Sequence, residues 1–529
     1  MSSPHRDVWI TRTGVSNLRI DHEPPRFQTL PLVMHRHLVI GGGVSGLTVA
    51  SELHRRGADV LLLESAPELG GAVRSERIGD YLVDHGADMF AIDPPAAWQM
   101  CQTLGFADQA IAPQVHRRGA MIWSRGRMHR IPRGFVLMRA TATWPILRSS
   151  ILTWRGKTRF LMERFVRKPT VGVDGTVPEE SVAEFASRRM GTEVLERLVT
   201  PLVAGIYTAD IAQLSMSAAM APVLGLESKH GSLAAAAIEQ RRTERRQRKA
   251  RSRLDDDKRL GGDSKAGGND GLGNEAENRQ TAGARYGRFR SFPDGMAGLV
   301  RRLAETLPAD RIRTSAGVKS LRRDAEQWTV ETESDTVQAE QITLAIPPPA
   351  AADLVRPWDV TLADAWTAIP SASAAIVCIG VGDEQIERPI DAFGFVVPPR
   401  EGSPLIAASM SSYKFDGRAP AGQTLIRCFM GGMLDPDRVN DCDDVLIDTA
   451  MRCLGEMIGL RGEPVMTRVV RWRSAMPQYN VGHDNRIASI QRRLATHPGL
   501  TWTNNASGGV GIAPTIASAI RLADSLLDD

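Results

Sequence analysis

The chain has 529 residues, 42% hydrophobic and 24% charged, with a formal net charge of +4. That length exceeds what one ordinary core uses, so two or three globular domains are expected. So small a net charge argues against nucleic acid. Five cysteines without a CxxC pair argue against a disulfide framework or a metal site, and no run of about 18 apolar residues is present to span a membrane.

In chain order, residues 1–36 carry Arg6, Arg12, Arg19, Arg26 and Pro24-Pro25 and lack the apolar core of a secretory signal. They read as a poorly ordered extension of a cytoplasmic protein. Residues 37–93 open with the apolar strand His37–Ile40, a glycine turn, a helix to about Arg56 that Gly57 ends, and a second strand Val60–Leu63. Residues 94–239 read as mainly helical; Pro178-Glu179-Glu180-Ser181 opens one helix there and Glu193–Leu202 forms another. Residues 240–287 join a charge run from Arg241 to Lys249 to a Gly/Asp/Asn stretch, and are predicted to be a disordered insertion. Residues 288–352 hold an amphipathic helix, Gly298–Leu307, and strands around Val318, Trp328–Thr332 and Gln341–Ile346. Residues 353–480 read as a mixed sheet with strands at Ala375–Ile379, Phe393–Val397 and Thr424–Phe429, and residues 481–529 end on a helix from Pro514 to about Leu527.

Gly41-Gly42-Gly43-Val44-Ser45-Gly46 lies between an apolar strand and a helix. In a G-x-G-x-x-G turn the first glycine permits the bend. The second lets a pyrophosphate approach the backbone, and the third lets helix and strand pack. The helix start then presents free N–H groups and a positive dipole, around Val44 and Ser45, to the phosphates. Glu64 ends the second strand at the spacing of a ribose-binding carboxylate, and would repel a 2′-phosphate, which excludes NADP. Leu69-Gly70-Gly71-Ala72-Val73-Arg74 follows; the glycine pair lets backbone lie near a cofactor, and Arg74 can offset phosphate charge.

That second glycine pair resembles the extended motif of the flavin amine oxidase superfamily. Within it the chain resembles the oxygen-dependent protoporphyrinogen/coproporphyrinogen oxidases, flavin enzymes of haem synthesis, from about His37 to the C-terminus. The resemblance rests further on Tyr81–Asp88, on Met190–Val194 with Pro201–Asp210, and on Phe292-Pro293-Asp294-Gly295-Met296. It rests also on Asp391–Pro398, on Met476-Pro477-Gln478-Tyr479 with Gly482-His483, and on Asn505–Ile512. Ala87 stands where the family often has proline.

The resemblance implies an α/β fold: a Rossmann-type (GR2-like) FAD-binding domain, a mixed-sheet substrate domain and a helical membrane-facing subdomain. It implies FAD as cofactor, held by Gly41, Gly43, Val44, Ser45, Gly46, Glu64, Ser65, Gly70, Gly71, Arg74, His85, Gly86, Ala87, Asp88, Val318, Val510, Gly511 and Ile512. The substrate would be a porphyrinogen, protoporphyrinogen IX or coproporphyrinogen III, and the final acceptor molecular oxygen. Gly205 and Met296 are candidates for the substrate slot. The family's propionate-binding arginine aligns with Val136, so Arg133 or Arg139 is the candidate replacement. The chemistry belongs to the flavin, and no side-chain nucleophile is expected. The stretch Trp144, Ile146, Leu147, Arg148, Ile151, Leu152, Trp154 and Arg155 reads either as a peripheral membrane contact or as a core helix with a basic face. A homodimer is compatible with all of this. Two other readings use the same fold: an amine oxidase or desaturase, and a non-catalytic lipid carrier.

Overall fold

The computed structural model describes residues 34–169, 178–260, 287–324 and 326–528, without the side chains of 244 and 248–260. Residues 1–33 of the expected extension and 261–286 of the expected insertion lie outside the described residues.

The first strand, β1 (Met34–Ile40), feeds α1 (Val44–Arg55), which returns to β2 (Val60–Leu63) parallel to β1, with His37 opposite Val60 and Ile40 opposite Leu63. Gly57, at φ +84°, turns the chain out of the helix. Seven strands form this sheet, in the order Ile312–Arg313, β2, β1, Thr336–Leu344, Gln327–Thr332 and Val318–Asp324, with Leu500–Trp502 also paired to Thr336–Leu344. Both faces of β1 are buried, as expected of a central parallel strand. Val39 faces a core shared by α1, the helix Ala297–Ala304 and the terminal helix Ile512–Asp528. Leu38 and Ile40 face the opposite core, with Ala351, Trp366 and Ile490. Trp366 is fully buried, so its truncation would cost about 3–5 kcal/mol.

A second seven-stranded sheet runs Met466–Pro477, Ser371–Gly382, Gln423–Gly431, Leu405–Met410, Gly394–Val396, Met121–Ser124 and Arg127–Arg130. Its pairs are antiparallel except Gly394–Val396 with Met121–Ser124. The region read as mainly helical thus donates two strands. Met-Ile-Trp-Ser and Arg-Met-His-Arg are short and carry polar residues, and the second is an edge strand, so no periodic signal marks them. The rest of that region packs helices around Phe185, Leu198, Val203 and Leu214. Ser181 caps Val182–Met190 in a capping box with Glu184, which sets the helix start three residues after Pro178-Glu179.

One expectation is corrected. Disorder was expected from 240, yet Leu233–Leu260 is one helix through the charge run. Arg, Lys, Gln and Glu are good helix formers, and spacings such as Glu239–Arg242 bring opposite charges together, so the helix needs no apolar stripe there. The apolar stretch 144–154 is divided: Ile146, Ile151 and Leu152 are core, whereas Trp144 and Trp154 are exposed.

Candidate functional site

The glycines of the first turn differ in what requires them. Gly41 sits at φ +111°, and a Cβ there would lie 2.7 Å from the Ala345 carbonyl oxygen. A Cβ on Gly46 would collide with the Gly41 carbonyl. Both are demanded by the fold itself. Gly43 has ordinary extended backbone (φ −75°, ψ 179°), and a Cβ there meets nothing within 4 Å. No packing reason excludes a side chain at Gly43. The room above it, at the N-terminus of α1 beside Val44 and Ser45, fits a group that needs bare backbone, such as a pyrophosphate.

Other predicted residues gather round this room. Gly70 bridges to Gly43, its N–H donating to the Gly42 carbonyl at 2.8 Å, and a Cβ on Gly71 would approach the Gly43 Cα at 3.4 Å. The Glu64 carboxylate accepts from the N–H groups of Gly42 (2.6 Å) and Ala66 (2.8 Å), so it fixes the turn and presents its remaining lone pairs outward. Ser65 and Glu64 lie against the segment leading to Val318: Ala316 donates to the Glu64 carbonyl, and a Cβ on Gly317 would touch that of Ser65. Arg74 is half-buried, with its Nε unpaired among the described residues.

The hairpin Ser75–Ile78/Tyr81–Asp84 carries the chain into His85–Asp88. The His85 ring pairs with Glu76 (3.0 Å), and its backbone carbonyl accepts from Trp472. Ala87 is exposed, and Gly86 lies where a Cβ would strike the Ala72 carbonyl. Behind this segment is a buried charge cluster that sequence reading missed. Asp88 faces Lys414 (2.7 Å) and Arg427 (3.2 Å), Asp84 faces Arg418 (3.5 Å), and Arg427 also donates to the Gly86 carbonyl. Burial alone would raise the Asp88 pKa, but the Lys414 and Arg427 charges hold it down to about 2.

The C-terminal turn leads into the terminal helix, which packs on the same core as α1. Gly509 and Gly511 have φ +106° and +105°, and Thr515 ties the turn down by donating to the Gly511 carbonyl at 2.9 Å. Val510 packs toward the core of Tyr207 and Tyr479, and Ile512 toward the core containing Val44. Tyr479 stacks on His483 at 4.1 Å and donates to the Asn505 carbonyl; His483 reaches the Ala506 carbonyl at 2.9 Å. Burial lowers the His483 pKa, so the imidazole supports the turn as a neutral ring.

Gly205 lies exposed on the helix Thr200–Tyr207, where a Cβ would come 3.3 Å from Val396 of the second sheet. Met296 is not at that surface. It is fully buried with Phe292 and Leu299, its N–H donating to Asp84, because Ala297–Ala304 presses its apolar face onto α1. Arg133 is exposed beside a separate cavity next to the second sheet, and Val136 and Arg139 form a small hairpin nearby.

A bare-backbone cradle at one helix start, a glycine turn at another and a second sheet tied to the segment 84–88 suit a dinucleotide-dependent oxidoreductase. The family model for flavin containing amine oxidoreductase matches residues 44–527, and the chain belongs to that family, within its protoporphyrinogen/coproporphyrinogen oxidase group. It is 31% identical over 94% of its length to the coproporphyrinogen III oxidase of Propionibacterium freudenreichii subsp. freudenreichii, covering 92% of that protein. It is 26% identical to protoporphyrinogen oxidase 2, chloroplastic/mitochondrial, of Arabidopsis thaliana, covering 93% of this chain and 94% of the other. A solved structure from Exiguobacterium sp. 255-15 matches with TM-score 0.76 at 24% identity, over 94% of this chain and 99% of that one. The fold is therefore the α/β flavin amine oxidase type, with mixed sheets.

Proposed function

We propose that the chain binds FAD in a Rossmann-type unit and oxidises a porphyrinogen, protoporphyrinogen IX or coproporphyrinogen III, to the porphyrin, with molecular oxygen as final acceptor. The observation that carries this is the bare backbone of Gly43 at the start of α1, where a Cβ would meet nothing within 4 Å, with Ile512, at the end of the C-terminal glycine turn, packed on the same core as Val44. The bound flavin would supply two-electron oxidation of the macrocycle.

The chain's own residues have the remaining tasks. The N–H groups at the start of α1 would hold the pyrophosphate and Glu64 the ribose. Ser65 and Val318 would flank the adenosine end, and Gly70, Gly71 and Arg74 the phosphates. The backbone of Gly86, Ala87 and Asp88, with Val510, Gly511 and Ile512, would line the ring; glycine N–H donors at a helix start favour negative charge placed there. Gly205, having no side chain, would leave a flat face opposite Val396 for a broad macrocycle.

In this reading residues 37–93, 288–352 and 481–529 make up the cofactor domain, 353–480 the substrate sheet and 94–239 a mainly helical, membrane-facing part. No helix among the described residues is long and apolar enough to cross a membrane. Exposed Trp144, Trp154 and Phe165, with Arg148 over the Trp144 ring and Lys157 over that of Trp154, support shallow contact with a lipid surface instead.

The test is anaerobic mixing of the FAD-loaded protein with each porphyrinogen. Bleaching of the flavin and its recovery in air are expected. Bleaching by a polyamine but by neither porphyrinogen would overturn the reading.

A further inference from the structure

The segment that follows the strand Met466–Pro477 grips two parts of the molecule at once. On one side it holds the C-terminal turn. The Asn505 and Ala506 carbonyls have no backbone donor among the described residues; the Tyr479 hydroxyl donates to the first, and the His483 Nε2–H to the second at 2.9 Å. The Gly509 N–H also faces the Tyr479 oxygen, so one phenol touches both ends of the turn. The two rings stack at 4.1 Å with 12° between their planes and are 5% and 3% exposed, so each holds the other's orientation. His483 Nδ1 is buried without a partner, which suits a bare lone pair on a neutral ring whose proton sits on Nε2.

On the other side the segment holds the end of the helix Thr200–Tyr207, which carries Gly205: Gln478 Nε2 donates to the Tyr207 carbonyl at 3.1 Å. The segment itself is anchored. The Ser215 N–H donates to the Tyr479 carbonyl (2.7 Å), the Val481 N–H to the Gln213 carbonyl (2.8 Å) and the Gly482 N–H to the Glu179 carboxylate (2.8 Å). Beyond residue 509 the grip stops. Val510, Gly511 and Ile512 donate no backbone hydrogen bond among the described residues, and Gly511 is exposed. A turn built on glycines has much freedom to lose and orders poorly by itself. Thr515 fixes its far end through the Gly511 carbonyl, and Tyr479 and His483 fix its buried start. Where the free N–H groups point is decided by those three side chains.

We propose that Tyr479 and His483 are positioning residues for the flavin: through the Asn505 and Ala506 carbonyls they aim the free N–H groups of residues 510–512, and so set how readily the bound cofactor is reduced. The inference rests on the placement of the ring against Val510, Gly511 and Ile512 proposed above. Donors held in place cost no reorganisation when negative charge arrives, so a loosened turn makes the flavin harder to reduce. The two side chains act through the backbone and supply no atom to the reaction.

The experiment compares the FAD-loaded wild type with Tyr479→Phe, which keeps the ring stack and loses the hydroxyl, with His483→Leu, and with His483→Gln, which keeps an N–H donor of similar reach. The reduction potential of the bound flavin is read by equilibration with a reference dye, beside FAD content, melting temperature, and kcat and KM with each porphyrinogen. Tyr479→Phe and His483→Leu should shift the flavin equilibrium toward the oxidised form about tenfold, which is about 30 mV for a two-electron couple. They should lower kcat about tenfold and leave KM within about twofold. His483→Gln should restore most of both. A merely structural role would lower the melting temperature and leave the potential where it was. Tyr479→Phe, the smaller change, decides the matter even where His483→Leu loses its FAD. Val510→Pro removes one of the free donors without touching the grip, and so tests the placement of the ring. A shifted potential there and none in Tyr479→Phe would refute the positioning role alone; no shift in either would end the ring placement on which it rests.

Discussion

Replacing Gly43 with alanine separates what the fold needs from what a cofactor needs. The added Cβ meets no protein atom within 4 Å, and the backbone there (φ −75°, ψ 179°) suits any residue. Alanine is a poorer helix N-cap than glycine, by about 0.5–1 kcal/mol. It also narrows the unfolded ensemble by a comparable amount. Stability without FAD should therefore stay within about 1 kcal/mol of wild type. The methyl group would sit where a phosphate must approach the α1 N–H groups. Losing two charge-assisted hydrogen bonds at about 1.5 kcal/mol each weakens FAD binding by about 3 kcal/mol, roughly 100-fold in Kd. Deflavinated protein titrated with FAD, and thermal melts without it, measure the two quantities. Gly46→Ala is the contrasting variant: its Cβ strikes the Gly41 carbonyl, so it should fail to fold. A Gly43→Ala protein that binds FAD within about threefold of wild type would refute the placement of the pyrophosphate.

Three further outcomes are expected. The Asp88 pKa is depressed from 3.8 to about 2 in the fold, so it contributes about 2 kcal/mol that is fully present above about pH 4 and is lost as pH falls toward 2. Urea midpoints across that window should fall for the wild type, whereas Asp88→Asn, lower by about 3 kcal/mol at neutral pH from its unpaired Lys414 and Arg427, should lack that component. Gly205→Leu fills the space beside Val396 and should cut kcat/KM for the porphyrinogen at least about 100-fold while FAD stays bound. Changing Trp154 and Phe165, 76% and 79% exposed, to serine should abolish co-sedimentation with anionic vesicles and leave the melting temperature nearly unchanged.

What was legible in the sequence was local. β1, α1 and β2 announce themselves because apolar runs, glycines and Glu64 lie within about 30 residues of one another and each obeys its own rule. The terminal helix was visible for the same reason. Strands 121–130 were not: they pair with each other, but each is only four residues with polar side chains, and the sheet they join is reached through Gly394–Val396, some 270 residues on. The helix through 240–260 was missed because composition describes burial, and that helix does not depend on it. Met296 was misplaced for a related reason: its motif marks a position in the chain, and only packing decides which way the side chain turns.

The charge cluster behind residues 84–88 shows why such a site needs long-range pairing. Lys414, Arg418 and Arg427 are 7%, 0% and 1% exposed, values that make sense for cations only when paired. Asp84 ends the hairpin and Asp88 follows it, whereas Arg427 lies on a strand of the second sheet and Lys414 and Arg418 on the connection into that strand, so neither set is stable in its place without the other. Arg418 extends the tie by donating to Ser291 Oγ (2.9 Å) and to the Phe292 carbonyl (3.2 Å), at the return into the first sheet's core. Removing one partner would strand the rest, which makes the junction of the two sheets an all-or-none arrangement. The segment 84–88 and the second sheet are then held together without a covalent link. In the proposed reading that fixes the backbone at Gly86, where a planar cofactor would lie.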